Sequence, residues 1–210
     1  MLAASSIACL LADFYRLCPM RTFTLFIFLP ATLLLFAWAV ADRLWGNRQL
    51  WRGVMIGVAA GLIAAVAYDL FRLPFVYARA WGIESVVPPL NLFKVFPRFG
   101  AMILAQPVQQ SSCSLAAHLI GWAYHFSNGL TFGIMYLALI GDGTRRHWIW
   151  AVVMAVGLEL GMLFTPYPNV LGIPLSAVFV LVTLTAHLIF GLVMGWMTVL
   201  LSRRWKFASV

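Results

Sequence analysis

The chain alternates long apolar runs with short polar segments. A transmembrane helix needs about 20 apolar residues to cross about 30 Å of hydrocarbon, and five of the runs approach or exceed this length. The pattern therefore predicts an all-α integral membrane protein, a bundle of about five transmembrane helices. The predicted spans are residues 22–41, 53–71, 116–140, 147–165 and 174–201.

These spans define a single transmembrane helical domain, residues 22–201, with an N-terminal extension, residues 1–21, and a basic cytoplasmic tail, residues 202–210. The apolar stretch within the extension is too short to cross a membrane, and it lacks the basic start of a secretory signal. Met20 stands directly before the first span and is an alternative start of the protein.

The longest connection, residues 72–115, joins spans two and three and contains five prolines, which argue against one continuous helix. Within it, residues 90–105 combine three phenylalanines with Lys94 and Arg98, which lie one helical turn apart. This pattern predicts an interfacial helix, with a re-entrant segment as the alternative. A sixth crossing is disfavoured because Pro97 and both basic residues would lie inside it.

Composition excludes a water-soluble fold. Hydrophobic residues make up 63% of the chain and charged residues 10%, against about 45–50% and about 25% in soluble domains. The net charge of +8 comes from basic residues scattered over loops and span ends, so no nucleic-acid partner is expected. The expected partner is the lipid bilayer.

The distribution of basic residues predicts the orientation. The connection 166–173 between spans four and five carries no charge, whereas Arg145 and Arg146 precede span four and Arg203 and Arg204 follow span five. Basic loops stay on the cytoplasmic side of a membrane. We therefore expect the C-terminus in the cytoplasm, and the membrane to be a bacterial inner membrane.

Glycines recur at four-residue spacing in three spans, which allows helix backbones to approach closely. Packing within the subunit is the first interpretation, and an interface with a second copy or another membrane subunit is the alternative. The glycines are Gly53, Gly57 and Gly61 in span two, Gly121, Gly129 and Gly133 in span three, and Gly157 and Gly161 in span four.

One motif occurs twice. H-x3-G-x3-G begins at His125 in span three and again at His187 in span five. Each copy follows a span with glycines at four-residue spacing, which favours a tandem duplication of a helix hairpin. A chance match in a glycine-rich membrane protein is the alternative.

Ionisable residues inside spans are costly and are functional candidates by default. At 1.5 Å per residue, Glu159, His125 and His187 lie within about 5 Å of one depth. We expect a polar layer in which Glu159 bonds one or both histidines, joined by Asn128. These four residues are the candidate ligand- or proton-binding site. The alternative is a Glu–His pair that only ties helices together.

An outer vestibule is the second candidate region. His118 precedes His125 by two helical turns on the same face. Asp69 and Arg72, at i and i+3, are expected to pair at the outer end of span two. We interpret this pair as an anchor for the turn at Pro74, or as part of the mouth of the site.

Enzymatic signatures are missing from the sequence: there is no G-x-S-x-G, H-E-x-x-H or P-loop motif. The three cysteines, Cys9, Cys18 and Cys113, have no metal-binding spacing. The sequence therefore favours a protein that is not an enzyme, and it predicts no catalytic residue and no metal site.

Three functions remain open on the sequence. The first is a permease or an ion- or proton-translocating protein with a His/Glu site at mid-membrane. The second is a haem-binding electron-transfer subunit, with haem held between His125 and His187. The third is a non-catalytic accessory or scaffold subunit, for which the glycine-rich helix faces suffice.

Overall fold

The computed structural model describes residues 2–110 and 112–205, and within these ranges the protein contains helices and no strand. The helices are α1 (Ser5–Phe14), α2 (Met20–Phe23), α3 (Leu29–Trp45), α4 (Gln49–Tyr77), α5 (Val95–Ile103), α6 (Leu115–Ile140), α7 (Ile149–Leu163), α8 (Tyr167–Val170) and α9 (Ala177–Arg204). Residues 206–210 of the predicted basic tail lie outside the described residues.

A π-helical turn, Thr24–Phe28, joins α2 to α3, so that Met20–Trp45 runs as one helix. The turn directly precedes Pro30, which stands at the start of α3. Proline has no N–H to donate to the preceding turn, and a local π turn is one way in which a helix accommodates this loss.

Three helices are long and apolar enough to cross a membrane, which fits the predicted helical membrane protein. They are Met20–Trp45, Gln49–Tyr77 and Ala177–Arg204, with 26, 29 and 28 residues. Helix α6 also has the length, with 26 residues, and contains His118, His125 and Asn128, but it is not among these three helices. Helix α7 has 15 residues, about 22 Å, which is short of the hydrocarbon thickness. The count of five crossings therefore stays a prediction.

A helix does form within residues 90–105, as predicted. A 3-10 turn at Leu92–Lys94 leads into α5, where Pro97 lies in the first turn and its missing N–H costs no helical bond. Most of α5 is buried against α6, and the close approach depends on Gly100 and Gly121, at which any Cβ would overlap the opposite backbone. Whether the segment is interfacial or re-entrant stays a prediction.

The predicted N-terminal extension contains a helix that packs into the bundle. Cys9, Leu10 and Phe14 of α1 belong to one buried cluster with residues of α5 and α6. Ser6 is fixed twice: its Oγ lies 2.7 Å from Thr131 Oγ1, and its carbonyl accepts a 2.6 Å hydrogen bond from the Tyr124 hydroxyl. Residues 2–14 are therefore part of the core, and the alternative start at Met20 stays a prediction.

Two helix hairpins form the centre of the bundle. Helix α4 packs against α6, α9 packs against α7, and α4 also contacts α9. The glycines explain the close crossings, since a Cβ at any of these positions would overlap the neighbouring helix: Gly57, Gly61, Gly129 and Gly133 between α4 and α6, and Gly191 and Gly195 between α9 and α7. Packing within the subunit is thus confirmed for the predicted glycines Gly57, Gly61, Gly121, Gly129 and Gly133. Gly53, Gly157 and Gly161 are different, because a Cβ there would meet nothing within 4 Å.

Candidate functional site

A cavity of about 360 Å³ lies between α4, α6, α7 and α9, at the end of the bundle where α4 and α7 finish and α6 and α9 begin. Residues 89–92, α5 and residues 172–176 close this end. The volume falls within the range of about 300–1,000 Å³ that is usual for small-molecule sites. The candidate residues His125, Asn128, Glu159 and His187 all line the cavity.

Glu159 and His187 form a close pair. Glu159 is 7% exposed, and its Oε2 lies 3.6 Å from His187 Nε2, an electrostatic contact slightly beyond hydrogen-bond distance. The other ring nitrogen of His187, Nδ1, lies 2.9 Å from the Thr183 carbonyl oxygen and must donate to it. In neutral His187 the proton is therefore on Nδ1, and Nε2 presents a lone pair to the carboxyl group.

The pair places a carboxyl group and an imidazole nitrogen side by side at the cavity. Carboxyl and imidazole groups are the side chains that proteins use most often to transfer protons. The pair is therefore a candidate proton-transfer site.

His125 contacts a different carboxylate from the one that the sequence suggested. Its Nε2 lies 2.8 Å from Asp69 Oδ2, and its ring stacks on Phe96 with a centroid distance of 4.0 Å. Glu159 was expected to bond one or both histidines, and of the two it contacts His187, whereas His125 contacts Asp69. Depth along a helix axis can be counted from sequence, whereas the rotation of the helices that selects the partner cannot.

Arg72 lies inside the protein, with 3% exposure, rather than at an outer rim. The predicted pair with Asp69 is present, with 3.5 Å between Arg72 Nη1 and Asp69 Oδ1, an ion pair without hydrogen-bond geometry. Arg72 Nη2 donates to the Leu92 carbonyl at 2.5 Å, and the guanidinium lies 4.6 Å from the Tyr68 ring centroid. The arginine therefore anchors the segment before α5 rather than the turn at Pro74.

Tyr68 was not singled out from the sequence, yet its ring connects the two pairs. The ring centroid lies 5.9 Å from that of His125 and 5.0 Å from that of His187. The signal for Tyr68 in the sequence is its position directly before the candidate residue Asp69. Because this ring contacts both imidazoles and each Nε2 faces a carboxyl group, the histidines are not arranged as two axial ligands of one haem. Among the described residues, no cluster of three metal-ligating side chains occurs.

The remaining candidates divide between the cavity and the surface. Asn128 lines the cavity, and its side-chain oxygen has no hydrogen-bond partner among the described residues. His118 is exposed near the start of α6 and does not line the cavity. Tyr167, in the short helix α8, also lines the cavity, and burial raises the pKa of its phenol, which therefore stays neutral.

The two acid–histidine pairs occupy equivalent positions in the two hairpins. Asp69 follows Gly61 by eight residues, and Gly61 meets Gly129, four residues after His125. In the second hairpin, Glu159 follows Ala151 by eight residues, and Ala151 meets Gly191, four residues after His187. This shared register supports the predicted tandem hairpin.

The class that the fold defines is an all-helical protein in which three helices are apolar enough to cross a membrane and an internal cavity contains ionisable side chains. Residues 85–209 match the model of DUF6789, a family of unknown function, and the chain belongs to this family. The matched region includes α5 to α9 and therefore His125, Asn128, Glu159 and His187, whereas Asp69 and Arg72 precede it. No curated protein and no solved structure matches the chain.

Proposed function

We propose that this protein is a permease or proton-translocating membrane protein in which Glu159 and His187 take up and release a proton at the cavity. The observation that carries the proposal is the 3.6 Å contact between Glu159 Oε2 and His187 Nε2 at a cavity that is large enough for a small solute. Ionisable residues inside a membrane bundle are retained at an energetic cost, and proton relays are a common use of them.

Glu159 is a better candidate for proton exchange than Asp69, because the two hairpins differ three residues after the acid. Asp69 is followed by Arg72, which balances its charge at 3.5 Å, and it also contacts His125. The equivalent residue after Glu159 is Met162, which supplies no charge. The charges of the first pair are thus compensated by Arg72, whereas no further salt bridge reaches Glu159 or His187 among the described residues.

The proposal includes five crossings, with the C-terminus in the cytoplasm of a bacterial inner membrane. The basic residues that flank α7 and α9 support this orientation, as does the absence of charge from residues 166–173. In this orientation the cavity lies in the outer half of the bundle, and residues 172–176 and the segment before α5 face the outer side.

Proton flux into proteoliposomes tests the proposal. The purified full chain is reconstituted with a pH-sensitive dye inside, and a potassium gradient with valinomycin sets the membrane potential. We expect flux above that of protein-free vesicles, reduced to that background in Glu159→Gln and His187→Gln. The matched control is His118→Gln, which changes an exposed histidine outside the cavity and is expected to retain the wild-type flux.

The variants are compared only where thermal unfolding shows that they fold. Wild-type flux in both folded cavity variants would overturn the role of the pair. A folded wild-type protein without flux would overturn translocation and favour the alternative of an accessory or scaffold subunit.

A further inference from the structure

The side chains that line the cavity carry an excess of positive charge. Arg72, Lys94 and Arg98 line it, whereas Glu159 is the one acidic residue in the lining. Asp69, which does not line the cavity, forms an ion pair with Arg72. Lys94 and Arg98 form no ion pair among the described residues, and Arg98 donates to the Leu171 carbonyl. An anion in the cavity would therefore be attracted toward these basic side chains.

Arg72 is the most deeply buried basic residue of the lining. Its side chain is 3% exposed, and its Nε and Nη1 have no hydrogen-bond partner among the described residues. A buried donor without a partner is costly, and a buried charge is costlier still. Arg72 lines the cavity, and a guanidinium is the side-chain group best suited to bind a carboxylate or phosphate group.

Apolar side chains make up most of the rest of the lining, and five of them are phenylalanines. The phenylalanines of the lining come from three helices, α5, α6 and α9, and Met162 of α7 also lines the cavity. These phenylalanines are Phe96, Phe99, Phe132, Phe179 and Phe190. A cavity of this kind matches a compact apolar body better than a sugar or a hydrated inorganic ion.

We propose that the cavity binds an organic anion, with one carboxylate or phosphate group near Arg72 and a compact apolar body among the phenylalanines. This inference rests on the proposed function, since it names the solute class of the same site. Lys94 lines the cavity and is also exposed at the surface. The part of the lining that carries the basic residues therefore lies next to the connections at the end of the bundle. We therefore assign a ligand that enters from water.

Three ligands that share one phenylpropyl body and differ in their charge test the assignment. The full chain in nanodiscs of zwitterionic lipid is titrated with 3-phenylpropanoate, 3-phenylpropan-1-ol and 3-phenylpropylamine, and binding is measured by calorimetry. We expect the anion to bind about tenfold tighter than the alcohol, the equivalent of one charge-assisted hydrogen bond. The amine is expected to bind more weakly than the alcohol.

The variant Arg98→Gln removes one lining charge, and Asp69→Asn with Arg72→Gln removes the buried ion pair together so that neither charge is left alone. Both are expected to lose the preference for the anion. The control Arg79→Gln removes an exposed charge outside the lining and is expected to keep it. Equal affinity for the three ligands, or no binding by any of them, would overturn the assignment.

A second arm separates the sources of the anion. If phosphatidylglycerol in the nanodisc abolishes binding of 3-phenylpropanoate, the site takes an anionic lipid and the assignment of a soluble ligand is overturned. Unchanged binding supports it. The outcome is independent of the proton assay: flux without anion preference refutes only this inference, and anion preference without flux refutes only the proposed translocation.

Discussion

The crossing of α7 and α9 holds Glu159 beside His187, and it can be perturbed by a single methyl group. In Gly191→Ala, the new Cβ would lie 2.6 Å from Val152 Cα and 2.9 Å from the Ala151 carbonyl oxygen. Ordinary van der Waals contact begins near 3.4 Å. The helices must therefore separate by about 0.8 Å at this point, since backbone atoms cannot rotate away as a side chain can.

The cost follows from this displacement. Overpacking of a well-packed contact costs about 1–3 kcal/mol, and alanine gains up to about 1 kcal/mol over glycine from helix propensity. Gly157→Ala is the matched control, because it makes the same substitution on α7 where a Cβ meets nothing within 4 Å. The propensity gain cancels between the two variants, so Gly191→Ala should be less stable than Gly157→Ala by about 1–3 kcal/mol.

Thermal unfolding of the detergent-solubilised protein, followed by tryptophan fluorescence, measures the difference. For a chain of this size, about 2–4 °C per kcal/mol is expected, so that Gly191→Ala should melt about 2–12 °C below Gly157→Ala. The displaced pair should also reduce proton flux in Gly191→Ala alone. Equal melting temperatures for the two variants would refute the close crossing and, with it, the positioning of Glu159 by Gly191.

Two further predictions concern the N-terminal helix and the orientation. Burial raises the pKa of the Cys9 thiol, and a higher pKa leaves less thiolate at pH 8. A maleimide should therefore label Cys9 more slowly than the partly exposed Cys18 in the folded protein, and at the same rate after denaturation. Equal rates in the folded protein would show that α1 does not pack as described. A fluorescent protein that folds only in the cytoplasm, fused after Val210, should fluoresce, whereas alkaline phosphatase fused there should be inactive; the reverse result would invert the proposed orientation.

The sequence predicted the helical segments well because membrane helices are marked by length and apolarity. All five predicted spans coincide with helices, and a helix lies within residues 90–105. The sequence also predicted the close packing of Gly57, Gly61, Gly129 and Gly133, since their four-residue spacing places the glycines of each helix on one face of that helix. For Gly157 and Gly161 the same spacing gave a wrong prediction of packing within the subunit, because no described atom lies within 4 Å of a Cβ placed at either position.

What the sequence determined by itself was therefore the position of the long helices, their membrane-like composition, and the choice of His125, Glu159 and His187 as candidate residues. The tertiary structure decided which acid meets which histidine, that Arg72 and Tyr68 stand beside them, and that α1 and α5 close the bundle around a cavity. The physical reason is that position along a helix follows from counting residues, whereas the rotation and neighbours of a helix depend on side-chain packing between segments far apart in the chain.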